Sequence, residues 1–132
     1  QCVTVGIDSM QGSGQYIVYS KTGSVKTSFN TKILTKDWII KIQELGAGEI
    51  VLNCMNQDGV KRGFDIKQLN YMSDVINVPL IASGGAGKEI DFYNVLNNPK
   101  ISGALAATVF HNSEIQIEDL KNFLKQNNIH IR

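Results

Sequence analysis

Residues 78–87 read Val-Pro-Leu-Ile-Ala-Ser-Gly-Gly-Ala-Gly. An apolar run of strand type, Pro79 to Ala82, passes directly into a glycine turn, and the pattern that follows has helical spacing with Phe92, Val95 and Leu96 inward. The same strand–turn–helix unit is repeated on both sides. Upstream, Cys2 to Ile7 is rich in β-branched residues and closed by Asp8, and a polar stretch from Ser9 to Gly14 follows. Tyr16 to Tyr19 and Val25 to Phe29, separated by Lys-Thr-Gly, predict a small hairpin in that first loop. The helix behind it is expected to start with Thr35 as N-cap and Asp37 in its first turn. Its buried face would be Trp38, Ile39, Ile42 and Leu45, with Gly46 as the residue just past its end.

A second strand, Glu49 to Cys54, leads through a glycine-bearing loop, Met55 to Gly63, to a helix opened by Asp65 with Ile66, Leu69, Met72 and Ile76 on one side. The fourth strand, Gly103 to Ala107, leads through Thr108-Val109-Phe110-His111 to a last helix with Ile117, Leu120, Phe123 and Leu124 on one face. Near-continuous apolar strands alternating with helices predict an α/β domain, a parallel sheet covered by helices. Four βα units suit a small doubly wound sheet or half of a (β/α)8 barrel, and periodicity alone leaves both open. Nothing in residues 1–132 reads as a linker or a second domain.

Composition narrows the function classes. A net charge of +1 gives no electrostatic reason for a nucleic-acid or membrane-surface partner, and no apolar run nears the roughly 20 residues that span a bilayer. Cys2 and Cys54 have neither metal-ligand nor disulfide-scaffold spacing. Both are expected to be reduced core residues, which suits a cytoplasm. The chain opens at Gln1 almost inside a strand, as a piece of a longer protein would.

Every notable polar or glycine-rich cluster directly follows a strand: Asp8, Asn53 to Gly59, Ser83 to Gly87, and Thr108. In α/β folds that is the ligand-binding edge. Gly84, Gly85 and Gly87 allow close backbone approach, and the next helix N-terminus adds donors, which together suit a phosphate. A tight turn that merely needs glycine explains the same residues. Ala106-Ala107-Thr108 favours phosphate, since barrels commonly hold one between their last two βα loops. Gly59 could add a backbone donor. Asp8, at the mouth of an apolar strand, is placed either to exchange protons with a substrate or to cap a loop. Asp58, in Asn56-Gln57-Asp58-Gly59, reads first as a turn residue. His111 reads as a helix-entry residue and His130 as tail; no metal or cofactor is implied.

Taken in order, Val5-Gly6-Ile7-Asp8, Gly46-Ala47-Gly48-Glu49-Ile50-Val51-Leu52-Asn53, Asn56-Gln57-Asp58-Gly59, residues 78–87 and Gly103 to His111 resemble the cyclase subunit of imidazole glycerol phosphate synthase. The resemblance covers essentially the whole chain and implies strands five to eight of a phosphate-binding (β/α)8 barrel. It implies a reaction in which ammonia from a glutaminase partner attacks PRFAR, giving imidazole glycerol phosphate and AICAR for histidine biosynthesis. It makes Asp8 one of two acid–base aspartates, the other lying in the absent half. Gly59, Gly84, Gly85, Ala107 and Thr108 then match one of two phosphate sites, and Asn53, Asp58 and Ser83 the active-site wall. Glu49 matches a charged residue at the ammonia entrance on the opposite face, where the glutaminase would dock.

Many family members carry Thr-Ser at Asn53-Cys54 and Asp at Asn56, and this chain resembles a branch with Asn at 53 and 56. The half that is absent would carry the second aspartate, a first-loop lysine and the second phosphate site, so the isolated chain is expected to be poorly active. Four strands cannot close a barrel, so pairing with the missing half or with another copy is expected. Two other readings stand beside this one. They are a phosphate-binding half-barrel without catalysis, and the sister isomerase of the same pathway, which needs no ammonia.

Overall fold

A computed structural model describes residues 2–131. Its elements are β1 (Thr4–Gly12), β2 (Gln15–Ser20), β3 (Phe29–Leu34), α1 (Thr35–Glu44), β4 (Glu49–Cys54), α2 (Ile66–Ser73), β5 (Leu80–Ser83), α3 (Glu89–Leu96), β6 (Gly103–Leu105), α4 (Thr108–His111) and α5 (Ile117–Gln126). One six-stranded sheet has the order β3-β2-β1-β4-β5-β6. β1, β4, β5 and β6 are mutually parallel, and β2 and β3 extend the sheet antiparallel beyond the far end of β1. This is an α/β fold with a predominantly parallel sheet, as the strand–helix alternation predicts. No helix among the described residues is long and apolar enough to cross a membrane.

Alternation along the strands sorts side chains between two faces. Ile7, Leu52 and Ala82 lie in one register row, and Ile50 and Leu80 in another, all nearly inaccessible beneath the helices. Ile39 and Ile42 of α1, Leu69 and Met72 of α2, Phe92 and Val95 of α3, and Leu120 and Leu124 of α5 complete that core. The opposite face, with Val51, Ile81 and Leu105, carries no covering layer among the described residues, and Leu105 is exposed.

Several sequence expectations shift. β1 does not stop at Ile7 but runs on to Gly12 and pairs with β2 across Ser13-Gly14, both at positive φ (50° and 80°), the geometry of a tight hairpin turn. The third strand of this extension is Phe29–Leu34, not Val25–Phe29. Ser24 and Thr27 bond locally instead: the Ser24 carbonyl accepts from the N–H of Thr27 and Ser28, and the Thr27 hydroxyl donates to the Lys21 carbonyl. Val25 is left almost fully exposed.

Thr35 is not the cap of α1 but its first residue; it is buried, with its hydroxyl 2.7 Å from that of Ser9. Gln68 of α2 donates to the same Ser9 hydroxyl, so a polar seam ties β1, α1 and α2 together inside the core. Asp65 does cap α2, accepting from the Gln68 N–H at 2.9 Å, and Gly46 ends α1 at φ +95°. Leu45 and Ile117, expected inward, are exposed. Cys54 is buried as expected, whereas Cys2 is exposed ahead of β1; both are free thiols. His111 ends the short α4 rather than entering a long helix.

Candidate functional site

At the C-terminal edge of the parallel strands, register alone brings Asp8, Asn53, Ser83 and Leu105 into one row across β1, β4, β5 and β6. Asp8 is half-buried and held from two sides. Its Oδ1 accepts from Asn53 Nδ2 at 2.8 Å, and its Oδ2 accepts from the hydroxyl of Thr22, on the loop after β2. Turned the other way, the Asn53 amide would set its oxygen against the carboxylate, so charge fixes its orientation. Asn53 Oδ1 is buried and has no partner of its own, an acceptor held at the site. The backbone behind it is tight: a Cβ on Gly84 would lie 3.0 Å from that oxygen and 2.9 Å from the Cys54 carbonyl.

Beyond Ser83, Gly84 and Gly85 are buried at φ +92° and +107°, conformations that L side chains rarely adopt. A Cβ on Gly85 would sit 2.1 Å from the Gly63 carbonyl oxygen, and one on Gly87 would sit 2.4 Å from that of Lys61. The Gly63 N–H in turn donates to the Gly85 carbonyl at 2.8 Å. These glycines therefore do serve a packing need, locking the loops after β4 and β5 backbone to backbone. One expected donor set is also occupied: the N–H groups of Gly87 and Lys88, at the start of α3, both donate to Asp91 Oδ2, at 2.9 and 2.8 Å. No loop or cap hydrogen bond of the described residues uses the N–H of Gly85 or Ala86.

Those free amides border a cleft of about 70 Å³ whose walls include Asp58, Gly59, Ser83, Gly84, Ala107 and Thr108. It is far below the roughly 300–1,000 Å³ of pockets that enclose a drug-sized molecule, and suits a single small group. Lys61 also lines it, at φ +56°. Sequence reading passed over Lys61; its only signal was a cation two residues past Gly59 in the same loop. Its ammonium pairs with Glu114, and that hydrogen bond holds the exposed Glu114 carboxyl below its ordinary range. Asp58 sits in a real turn, with its N–H donating to the Cys54 carbonyl at 3.2 Å and Gly59 at φ +73°, and its side chain on the rim of the cleft.

Of the sequence candidates, the structure groups Asp58, Gly59, Ser83, Gly84, Gly85, Ala107 and Thr108 around the cleft and pairs Asp8 with Asn53 beside it. Glu49 stands apart. It lies four residues down β4 from Asn53, about 13 Å at strand rise, and accepts from the Thr4 hydroxyl at 3.0 Å. Thr22 was not foreseen, because its loop was assigned to a hairpin turn without contact to Asp8.

Comparison with known proteins adds ancestry to this geometry. Residues 1–116 match the family model described as histidine biosynthesis protein. The imidazole glycerol phosphate synthase subunit HisF of Pseudoalteromonas translucida is 52% identical over the whole of this chain, that of Buchnera aphidicola 54%, and that of Photobacterium profundum 50%. In each case the chain covers 52% of the relative, so it spans about half the length of the curated proteins it matches. The chain belongs to the histidine biosynthesis protein family and is similar within it to the HisF subunit of imidazole glycerol phosphate synthase.

Proposed function

We propose that this chain is the C-terminal half, strands five to eight, of a (β/α)8 barrel, and that it carries one catalytic half of the cyclase that converts PRFAR and ammonia to imidazole glycerol phosphate and AICAR. The observation that carries the reading is the register row Asp8–Asn53–Ser83 with the glycine-walled cleft at its end. It supports the reading because a carboxylate and a cleft sized for one phosphate lie side by side on the edge where such barrels bind substrate.

In this mechanism Asp8 accepts and returns a proton during ring closure. Asn53 and Thr22 hold its carboxylate in place until substrate replaces one of them. The amides of Gly85 and Ala86, the Thr108 hydroxyl and the Lys61 ammonium hold one terminal phosphate of the substrate. The second aspartate and second phosphate site come from the half-barrel of strands one to four. A glutaminase docked at the Glu49 end delivers ammonia through the barrel, and the compartment is the cytoplasm.

The test is ammonia-dependent turnover of PRFAR by this chain, alone and with a strand-one-to-four half added. Turnover only on addition is the expected result. Inorganic phosphate bound at the cleft with no turnover in either mixture would leave a binding half-barrel and remove the catalytic assignment. Consumption of a substrate without ammonia would point to the pathway isomerase instead.

A further inference from the structure

A second cavity, of about 440 Å³, is lined by the β1–β2 turn, the end of β3 and residues of α1 and α2. Its volume falls within the range of small-molecule sites, and it shares no residue with the glycine-walled cleft. One wall is aromatic. Tyr16 and Tyr71 are tilted against each other with ring centroids 6.0 Å apart, and the Lys36 ammonium stands 5.1 Å from the Tyr71 centroid. The floor is apolar, from Leu34 and Met72, and on the hairpin side Gln11 shares a face with Tyr16, its register partner.

The rim between α1 and α2 carries positive charge beside that aromatic wall. Lys36 and Lys67 both line it, and neither belongs to the ion pairs of the described residues, which join Lys41 to Glu44, Lys61 to Glu114 and Lys100 to Asp74. The N-terminus of α1 opens onto the same rim through Leu34, Lys36 and Asp37. Leu34, in the N-cap position, offers no side-chain acceptor, so the first-turn amides of this ten-residue helix have no cap. Asp37 is the one acid in the lining and leaves its net charge at +1. Burial, and then the nearby Asp65, push the Tyr16 phenol upward from a value that already leaves it protonated at neutral pH.

We propose that this cavity is a nucleoside monophosphate site, distinct from the strand-end cleft, in which Tyr16 and Tyr71 take the base and Lys36, Lys67 and the α1 N-terminus take the phosphate. The Gln11 side chain, on the Tyr16 face of the hairpin, lies beside the base, where its amide can both donate and accept. The inference does not rest on the cyclase reading, because none of its residues belongs to that site.

The experiment follows backbone and aromatic NMR signals of the chain during titration with AMP, adenosine and inorganic phosphate. AMP is expected to give saturating shifts at Tyr16, Tyr71 and the first turn of α1, with a Kd of about 1 mM or tighter. Adenosine and phosphate should each bind at least about fivefold more weakly, and Tyr71→Ala, at a half-exposed position, should weaken AMP by a similar factor. Lys67→Ala should weaken AMP and leave adenosine unchanged. Shifts that fail to saturate by about 10 mM overturn the proposal. So do saturating shifts confined to residues 84–87 and 107–108, or AMP affinity unaltered in both variants.

Discussion

Asp8 has two partners of different chemistry, and they separate what each does for the carboxylate. With the proposed strand-one-to-four half added, Asp8→Asn should lower turnover by at least about 10²-fold, while phosphate affinity, measured by calorimetry, stays within twofold. Near-normal turnover would take Asp8 out of the mechanism. Thr22→Val removes the loop's hold on Oδ2 and should lower kcat with little change in KM, and Thr22→Ser should restore it. A parallel loss in both variants would mean that loop shape, not the hydroxyl, matters. The two thiols give a check that needs no activity. Burial pushes the Cys54 thiol well above its usual range, while Cys2 is exposed. A thiol reagent at neutral pH should therefore label one cysteine fast and the other only after denaturation; two fast equivalents would contradict the packing of β4.

At the scale of elements, the loops after β4 and β5 act as one backbone-packed unit, which changes how glycine variants must be read. Gly85→Ala puts a methyl against the Gly63 carbonyl at a φ of +107°, so it should cost stability, on the order of 1–3 kcal/mol in urea unfolding, before any effect on binding is interpretable. Thr108 is exposed, so Thr108→Val should leave the urea midpoint unchanged and weaken phosphate alone. A Thr108→Val variant with full phosphate affinity would place the anion elsewhere. The Ser9–Thr35–Gln68 seam should respond in the opposite way, through stability only. Ser9→Ala strands both partners in the core and should cost about 1–3 kcal/mol.

For the whole molecule, the parallel part of the sheet has two unfinished edges. β6 pairs only with β5, and the Thr4–Ile7 half of β1 has no partner on the side away from β4, since β2 pairs only from Asp8 onward. Leu105 and Val3 are exposed near those edges. Open edges and an uncovered apolar sheet face drive association. Sedimentation of the isolated chain should show a dimer or larger species that gives way to a 1:1 complex when a strand-one-to-four half is added. A sharply melting monomer would argue that the open face is stable in water.

Much of this was legible in the sequence because the signals are local. β-branched runs, helical spacing and Gly46 fixed element type, and the placement of every polar cluster after a strand marked a candidate ligand-binding edge before any geometry was known. Asp65 could be read as a cap because capping depends on residues three apart. What sequence could not supply were contacts between elements distant in the chain. Thr22 meets Asp8, and Thr35 meets Ser9 and Gln68, only once the hairpin and helices pack on the sheet. The double duty of the glycines arises in the same way, because the atom that excludes a side chain at Gly85 belongs to Gly63. The sequence by itself determined the alternation, the residue types at the strand ends and the family. Only tertiary structure decided which groups touch, because hydrogen bonds and steric exclusion act through space and leave no period in the chain.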